Sequence, residues 1–292
     1  MSLGLFFAAL TIFLFGSWAV PTKTLQIEPK VQAFWLTVGH LLFAVVVFIA
    51  TSSPLPASAT LWPLIAGIIW GIGMIAGFVA IKQIGITRAL GIWSPTVIVV
   101  GALWGLLYFG ELWTLGRDRL LLTGVSICLV IIAAVLVILS KEDSTQLKNA
   151  KIGVLSALCL GVFHGSYFVP LYSSKFSIFT TFIPLSVGMV LVTFAVVRVK
   201  KGAFFSDPLS LFRMLVAGMI LCSGNYTALL TLKYLGVSLG YPLTQFGIVV
   251  NTLWGTLLFK EVVTKRGYAF VSIGVAITIV GAILLNFARF SG

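Results

Sequence analysis

Asn225 and Gln245 are primary amides set in runs of hydrocarbon, Leu221-Cys222-Ser223-Gly224-Asn225-Tyr226 and Pro242-Leu243-Thr244-Gln245-Phe246-Gly247. A carboxamide donates and accepts at once, so it can read a hydroxyl or another amide without carrying charge. Where water is absent such a group must find a partner or a wet cavity. The same test picks out Ser17, Trp18, His40, Trp70, Trp93 and Ser94, then His164, Ser166, Tyr167, Tyr226, Tyr241, Thr244 and Asn251. Flat faces at Trp18, Trp70, Trp93, Tyr167 and Tyr241 suit the C–H surface of a small polar solute, with Ser17 and Ser94 as hydroxyl partners. The candidate binding set is therefore Asn225, Gln245, Ser17, Trp18, Trp70, Trp93, Ser94, Tyr167 and Tyr241.

Bond-making chemistry has little support, because Ser and His occur singly and no activated nucleophile or acid pair is present. Two His and no clustered Cys leave no metal site, and no phosphate-cradling Gly-Lys-Ser/Thr loop or cofactor motif occurs. The seven acids, Glu28, Glu111, Asp118, Glu142, Asp143, Asp207 and Glu261, fall at span ends or in loops. Glu111 and Glu261 read as structural ion-pair partners of Arg117 and of Lys265 or Arg266. If the chain moves protons, His164 is the coupling candidate: imidazole is the side chain whose ordinary titration lies nearest neutral pH, and this one adjoins a repeated block.

These residues need a scaffold, and composition names its solvent. The chain is 60% hydrophobic and 9% charged, against about 25% charged in soluble domains. Apolar runs fall at 3–22, 33–52, 62–82, 87–109, 119–139, 152–172, 179–198, 212–232, 237–259 and 267–287, each long enough to span a hydrocarbon layer of about 30 Å. The runs are continuous rather than alternating, which predicts an all-α integral membrane protein of ten transmembrane helices.

The sequence is also duplicated. Leu103-Trp104-Gly105 through Glu111 recurs as Leu253-Trp254-Gly255 through Glu261; Ala66-Gly67 with Gly73, Lys82 and Gly85 recurs as Ala217-Gly218 with Gly224, Lys233 and Gly236; Gly16-Ser17 through Pro21 recurs as Gly165-Ser166 through Pro170. Three blocks in one order at offsets of 150, 151 and 149 divide the chain into a first five-helix repeat, 1–140, a polar linker, 141–151, and a second repeat, 152–292. Five spans per copy invert the second copy relative to the first and place a shared cavity between them, a design suited to alternating access.

The predicted loops divide the 19 Lys and Arg fourteen to five, which puts the linker in the cytoplasm and both termini outside. The net charge of +12 follows from the same rule and the anionic inner leaflet, not from nucleic-acid binding. The first segment lacks a basic leader and carries half of a repeat, so it is expected to remain in the mature protein. Cys128, Cys159 and Cys222 read as packing residues, and the sequon at Asn225 lies mid-span, out of reach of glycosylation. Gly67/Gly71, Gly73/Gly77, Gly101/Gly105 and Gly161/Gly165 are spaced for close helix approach. Pro21, Pro170, Pro95 and Pro242 mark breaks or kinks.

The blocks Gly85-Ile86-Thr87-Arg88-Ala89 to Phe109-Gly110-Glu111-Leu112-Trp113, and Gly236-Val237-Ser238 through Gln245 to Phe259-Lys260-Glu261, resemble the fourth and ninth helices of bacterial glucose uptake proteins. Gly16-Ser17 through Pro21 with Lys23, and Ser223-Gly224-Asn225, match further blocks of that glucose/ribose porter family, in the drug/metabolite transporter superfamily. The resemblance covers roughly residues 10–265 and independently points to Asn225 and Gln245. Where it implies polar residues in the third helix, this chain has Gly73-Met74-Ile75.

Together these readings predict a secondary carrier or facilitator in a cell membrane, bacterial inner membrane by resemblance, taking a small polar solute, a sugar first. A quaternary amine, nucleobase or amino acid carrier, a drug or metabolite exporter, and a channel-like or structural protein are the alternatives. The expected partners are the solute, the lipid bilayer and a co-transported proton or sodium if transport is coupled, with a monomer or homodimer as the assembly.

Overall fold

The computed structural model describes residues 2–51, 60–109, 116–139, 149–173, 178–201, 203–235, 243–244, 246–262 and 264–290. These fold as helices: α1 (Ser2–Ser17), α2 (Pro29–Thr51), α3 (Leu61–Leu103), α4 (Arg117–Leu139), α5 (Ala150–Ser166), α6 (Phe168–Ser173), α7 (Ile178–Val199), α8 (Pro208–Leu235), α9 (Gly247–Leu253) and α10 (Lys265–Phe290). Among the described residues there is no strand. Eight helical segments are long and apolar enough to cross a membrane. Large apolar side chains lie exposed on their outer faces, such as Phe6, Val46, Ile49, Leu107, Leu121 and Leu257. Outward hydrocarbon on this scale needs lipid rather than water around it.

The spans expected at 62–82 and 87–109 form one 48-residue helical run, Leu61–Tyr108. It is continuous only in name. At Gly85 the backbone leaves the helical region (φ 82, ψ 168), a conformation open to glycine because it lacks a Cβ. The residues after it, Ile86 onward, therefore start a new helix with unspent amides. The span expected at 237–259 is described from Gly247 to Leu258 as a shorter apolar helix. Pro21 breaks the first span as foreseen, in the single-turn helix Val20–Thr22, whereas Pro95 is accommodated inside α3.

α3 and α9 end alike. Trp104–Tyr108 and Trp254–Leu258 are wide π turns, with Phe109 N–H donating to the Trp104 carbonyl at 3.1 Å and Phe259 N–H to that of Trp254 at 3.0 Å. Each turn therefore accommodates one residue beyond α-helical spacing.

Helices approach through small residues. A methyl group at Gly39 would meet the backbone of Leu215, and one at Gly188 that of Leu64; Gly218 lies against Leu36 and Gly67 against Leu185. Gly16 packs on Val250 and Gly165 on Val100. Members of each pair occupy matching positions of the duplicated sequence, so α2 meets α8 as α3 meets α7, and α1 meets α9 as α5 meets the second half of α3. Of the glycines spaced for close approach, Gly67, Gly71, Gly77, Gly161 and Gly165 have neighbours that a side chain would strike, while Gly101 has ordinary clearance.

Candidate functional site

The site begins with a cavity of about 440 Å³ between the helices, within the size range of small-molecule pockets. Trp18, Trp70, Trp93, Ser94, His164, Tyr167 and Asn225 line it, joined by Thr244 and Thr278 and by an apolar majority that includes Phe15, Met74, Leu160 and Phe182. Seven of the ten binding and coupling candidates read from the sequence thus converge from α1, α3, α5 and α8 and the turns after them. Ser17 sits one helical step away. It is buried and its hydroxyl accepts the indole N–H of Trp254 at 2.9 Å. Tyr241 and Gln245 lie outside the described residues.

Two aromatic platforms face the space. Trp18 and Trp93 are stacked at 6.3 Å between centroids and 22° between planes, and Phe78 meets Trp18 edge-on at 6.0 Å. Trp70 and His164 form a second stack, at 4.6 Å and 20°. His164 Nε2 lies 3.1 Å from the Trp70 carbonyl. A carbonyl can only accept, so Nε2 carries the proton and Nδ1 is the nitrogen left to take a second one. Gly73 makes this arrangement fit: a Cβ there would sit 2.7 Å from the His164 ring. Glycine in place of the polar residue implied by resemblance at this point is therefore a steric requirement of the histidine.

Asn225 reaches the cavity from α8, near the Gly224 contact with Phe15. Its amide nitrogen lies 3.2 Å from Nε2 of His40. His40 is fully buried, and its Nδ1 lies 2.8 Å from the Ser186 hydroxyl. No motif marks Ser186; its membership in this chain is visible only in three dimensions.

Outside the cavity lining, Glu261 is buried, at 3% exposed. Its carboxylate accepts the Ile86 N–H at 2.8 Å and the Thr87 N–H at 2.7 Å, and it pairs with the Lys23 ammonium. The helix restarting after Gly85 thus has its amino end capped by an acid from a distant segment, where backbone dipoles favour negative charge. Gly85 also clears the space, since a Cβ there would lie 2.8 Å from the Glu261 carboxyl carbon. The partner expected for Glu261, Lys265 or Arg266, is corrected: the chain bends back so that the cation from the α1 turn reaches it first. Arg88, counted by sequence among loop cations, is buried and donates to the Glu261 carbonyl at 3.5 Å. The matching residue Glu111 lies outside the described residues.

A "Putative sugar uptake protein" of Streptococcus pyogenes serotype M1 is 27% identical over 297 residues, covering 98% of this chain and 99% of its own. Proteins of the same printed name from Listeria monocytogenes and Enterococcus faecalis are 27% and 25% identical, over 90% and 98% of this chain and 91% and 100% of their own. A crystal structure matches with a TM-score of 0.64 at 14% identity, covering 99% of each chain, which speaks for the fold alone. The profile of the sugar transport protein family matches residues 6–288, a range that includes every described residue lining the cavity. The chain belongs to the sugar transport protein family.

Proposed function

We propose that this chain is a secondary carrier that imports a monosaccharide-sized neutral solute by alternating access. The carrying observation is the cavity itself: two stacked aromatic pairs and the Asn225 amide in its lining, and no Asp, Glu, Lys or Arg among its described lining residues. Aromatic faces take the C–H surface of a sugar, and neutral polar groups take its hydroxyls. A quaternary amine would also favour aromatic faces, but would lack a counter-charge here. The names of the relatives favour sugar over other neutral solutes.

The reading extends to architecture. The 48-residue run counts as two spans because it breaks at Gly85, and Gly247–Leu258 supplies another, giving ten in two inverted halves, 1–140 and 152–292, joined by the 141–151 linker. The matched glycine contacts support a pseudo-two-fold relation between them. Glu261 and Lys23 close the linker side in this reading, so the cavity is accessible from the side of the termini. The charge bias supports that side being the outside, and the resemblance supports a bacterial cell membrane. His164, at the wall of the cavity, is the coupling group if a proton accompanies the solute. Gln245 and Tyr241 remain proposed contacts.

Counterflow in proteoliposomes tests the function. A labelled monosaccharide should accumulate transiently against preloaded unlabelled sugar, and Asn225→Ala should weaken the apparent affinity about tenfold, the order of a lost hydrogen bond. Exchange of amines but not sugars overturns the solute class. Flux without trans-acceleration overturns the carrier mechanism. A carboxyl-terminal fusion that reports from the cytoplasm overturns the orientation.

A further inference from the structure

The Asn225 amide has two faces of opposite hydrogen-bonding character, and which one meets the solute is decided by residues that never touch it. Ser186 Oγ donates to the Phe182 carbonyl at 2.7 Å, so its one proton is spent. Its oxygen can then serve His40 only as acceptor, which requires the proton on Nδ1, 2.8 Å away. A neutral ring with its proton on Nδ1 has a bare lone pair on Nε2. That lone pair, 3.2 Å from Asn225, takes an N–H of the amide. The amide oxygen is left pointing away from His40, and among the described residues it has no hydrogen-bond partner. His40 and Ser186 are both 0% exposed, with Trp70 and Phe182 rings 6.1 Å from the imidazole, so water cannot substitute for a broken link.

We propose that His40 and Ser186, neither of which lines the cavity, are positioning residues that set the polarity of the solute site. They hold Asn225 with its carbonyl oxygen toward the solute, and the site therefore demands a hydroxyl that donates at that position. This rests on the sugar-carrier reading above for the identity of the solute. The chain of donors has a direction, from amide to imidazole to hydroxyl to backbone carbonyl, and the carbonyl of Phe182 fixes it because a carbonyl cannot donate. Removing the Ser186 oxygen removes the reason for the proton to stay on Nδ1. With the proton on Nε2 the imidazole becomes the donor, and Asn225 must turn its oxygen to it and its NH₂ to the solute.

The test is a polarity reversal. Two readouts are used on Ser186→Ala, and on Ser186→Thr, which retains the hydroxyl. The first is ¹⁵N NMR of histidine-labelled protein in detergent, with His164→Gln used to assign the two imidazoles. His40 should be neutral with its proton on Nδ1 in the wild type and in Ser186→Thr, and on Nε2 in Ser186→Ala. The second is competition in counterflow by monodeoxy and monodeoxyfluoro analogues of the exchanged sugar. At one ring position the wild type should reject fluorine, which cannot donate, by about tenfold or more; Ser186→Ala should recover fluorine relative to the parent hydroxyl by a comparable factor, and Ser186→Thr should not. A wild-type His40 protonated on Nε2, or a Ser186→Ala variant with an unaltered analogue ranking, overturns the proposal. If no sugar exchanges but the tautomer reverses as stated, the solute class falls and the positioning stands, carried by whichever solute exchanges.

Discussion

The indole N–H of Trp254 donates to the hydroxyl of Ser17 at 2.9 Å, joining the end of α9 to the end of α1. Trp104 and Ser166 make the same bond at the same length, joining the end of α3 to the end of α5. Each tryptophan stands 150 residues from the other and each serine 149, so two segments far apart in sequence are stitched together twice in one fashion. A bond of this kind between helices in lipid contributes about 1 kcal/mol. Double-mutant cycles pairing Trp254→Phe with Ser17→Ala, and Trp104→Phe with Ser166→Ala, should each return a coupling near that value in detergent unfolding. The Ser17 pair should be the stronger, since Ser17 is buried while Ser166 is half-exposed. Coupling energies of zero in both cycles would deny these bonds a role in the packing.

Glu261 and Lys23 do not contribute alike. Lys23→Met leaves a carboxylate buried with only backbone amides to hold it, and stability should fall by about 3 kcal/mol. Glu261→Gln leaves an ammonium that is 21% exposed and keeps one acceptor for Ile86 or Thr87, so the loss should be about half as large. Both variants should admit a membrane-impermeant thiol reagent to a cysteine placed at Thr22, now 2% exposed. An equal loss in both variants, with Thr22→Cys still protected, would mean that the ion pair does not close this end.

His164→Gln keeps a side chain able to donate to the Trp70 carbonyl and removes the imidazole's titration. The variant should retain counterflow while losing accumulation driven by a pH gradient. Accumulation that persists in proteoliposomes assigns the coupling elsewhere; a wild type that never accumulates is a facilitator, in which His164 serves as an aromatic wall.

Asp207 caps α8, accepting the Ser210 N–H at 2.8 Å on Oδ1. Hydrogen bonding by Ser210 holds its carboxyl below the ordinary carboxylate range. A lowered folded-state value means stability that is present above the usual carboxylate pKa and lost as pH falls through the folded value. Asp207→Ala should lower the melting temperature at neutral pH. Asp207→Asn, which caps without titrating, should hold its melting temperature in the acid range where wild type declines. Identical acid profiles for wild type and Asp207→Asn would contradict this.

The sequence made some of this plain and hid the rest for physical reasons. Hydrocarbon runs are long and unbroken, so most crossing helices were legible, and the break inside α3 falls between the expected spans 62–82 and 87–109, at Gly85, whose backbone angles few other residues adopt. Trp18, Trp70, Trp93, His164 and Asn225, which line the cavity, stood out because polar or flat groups are costly and rare in such runs. Glu261 was legible as an ion-pair former but its partner was not: Lys265 is near in sequence, while Lys23 is near only after folding. Ser186 gave no signal because a lone hydroxyl in a helix can always bond its own backbone, as it does here to Phe182. What makes it matter is the ring that arrives from α2.

The wide turns after Trp104 and Trp254 bear on register. One residue of an α-helix turns the chain by about 100°, so the added residue in Trp254–Leu258 rotates all that follows by roughly that angle. Glu261 comes three residues later, and its Ile86 and Thr87 partners tolerate no such error. Deleting one residue within Trp254–Leu258 would straighten the helix, preserve every side chain of the cavity, and swing the acid away from its amides. The fault in the helix thus acts as a phase adjuster: a departure from regular geometry is what lets a carboxylate on one segment come into alignment with a helix that begins 175 residues before it.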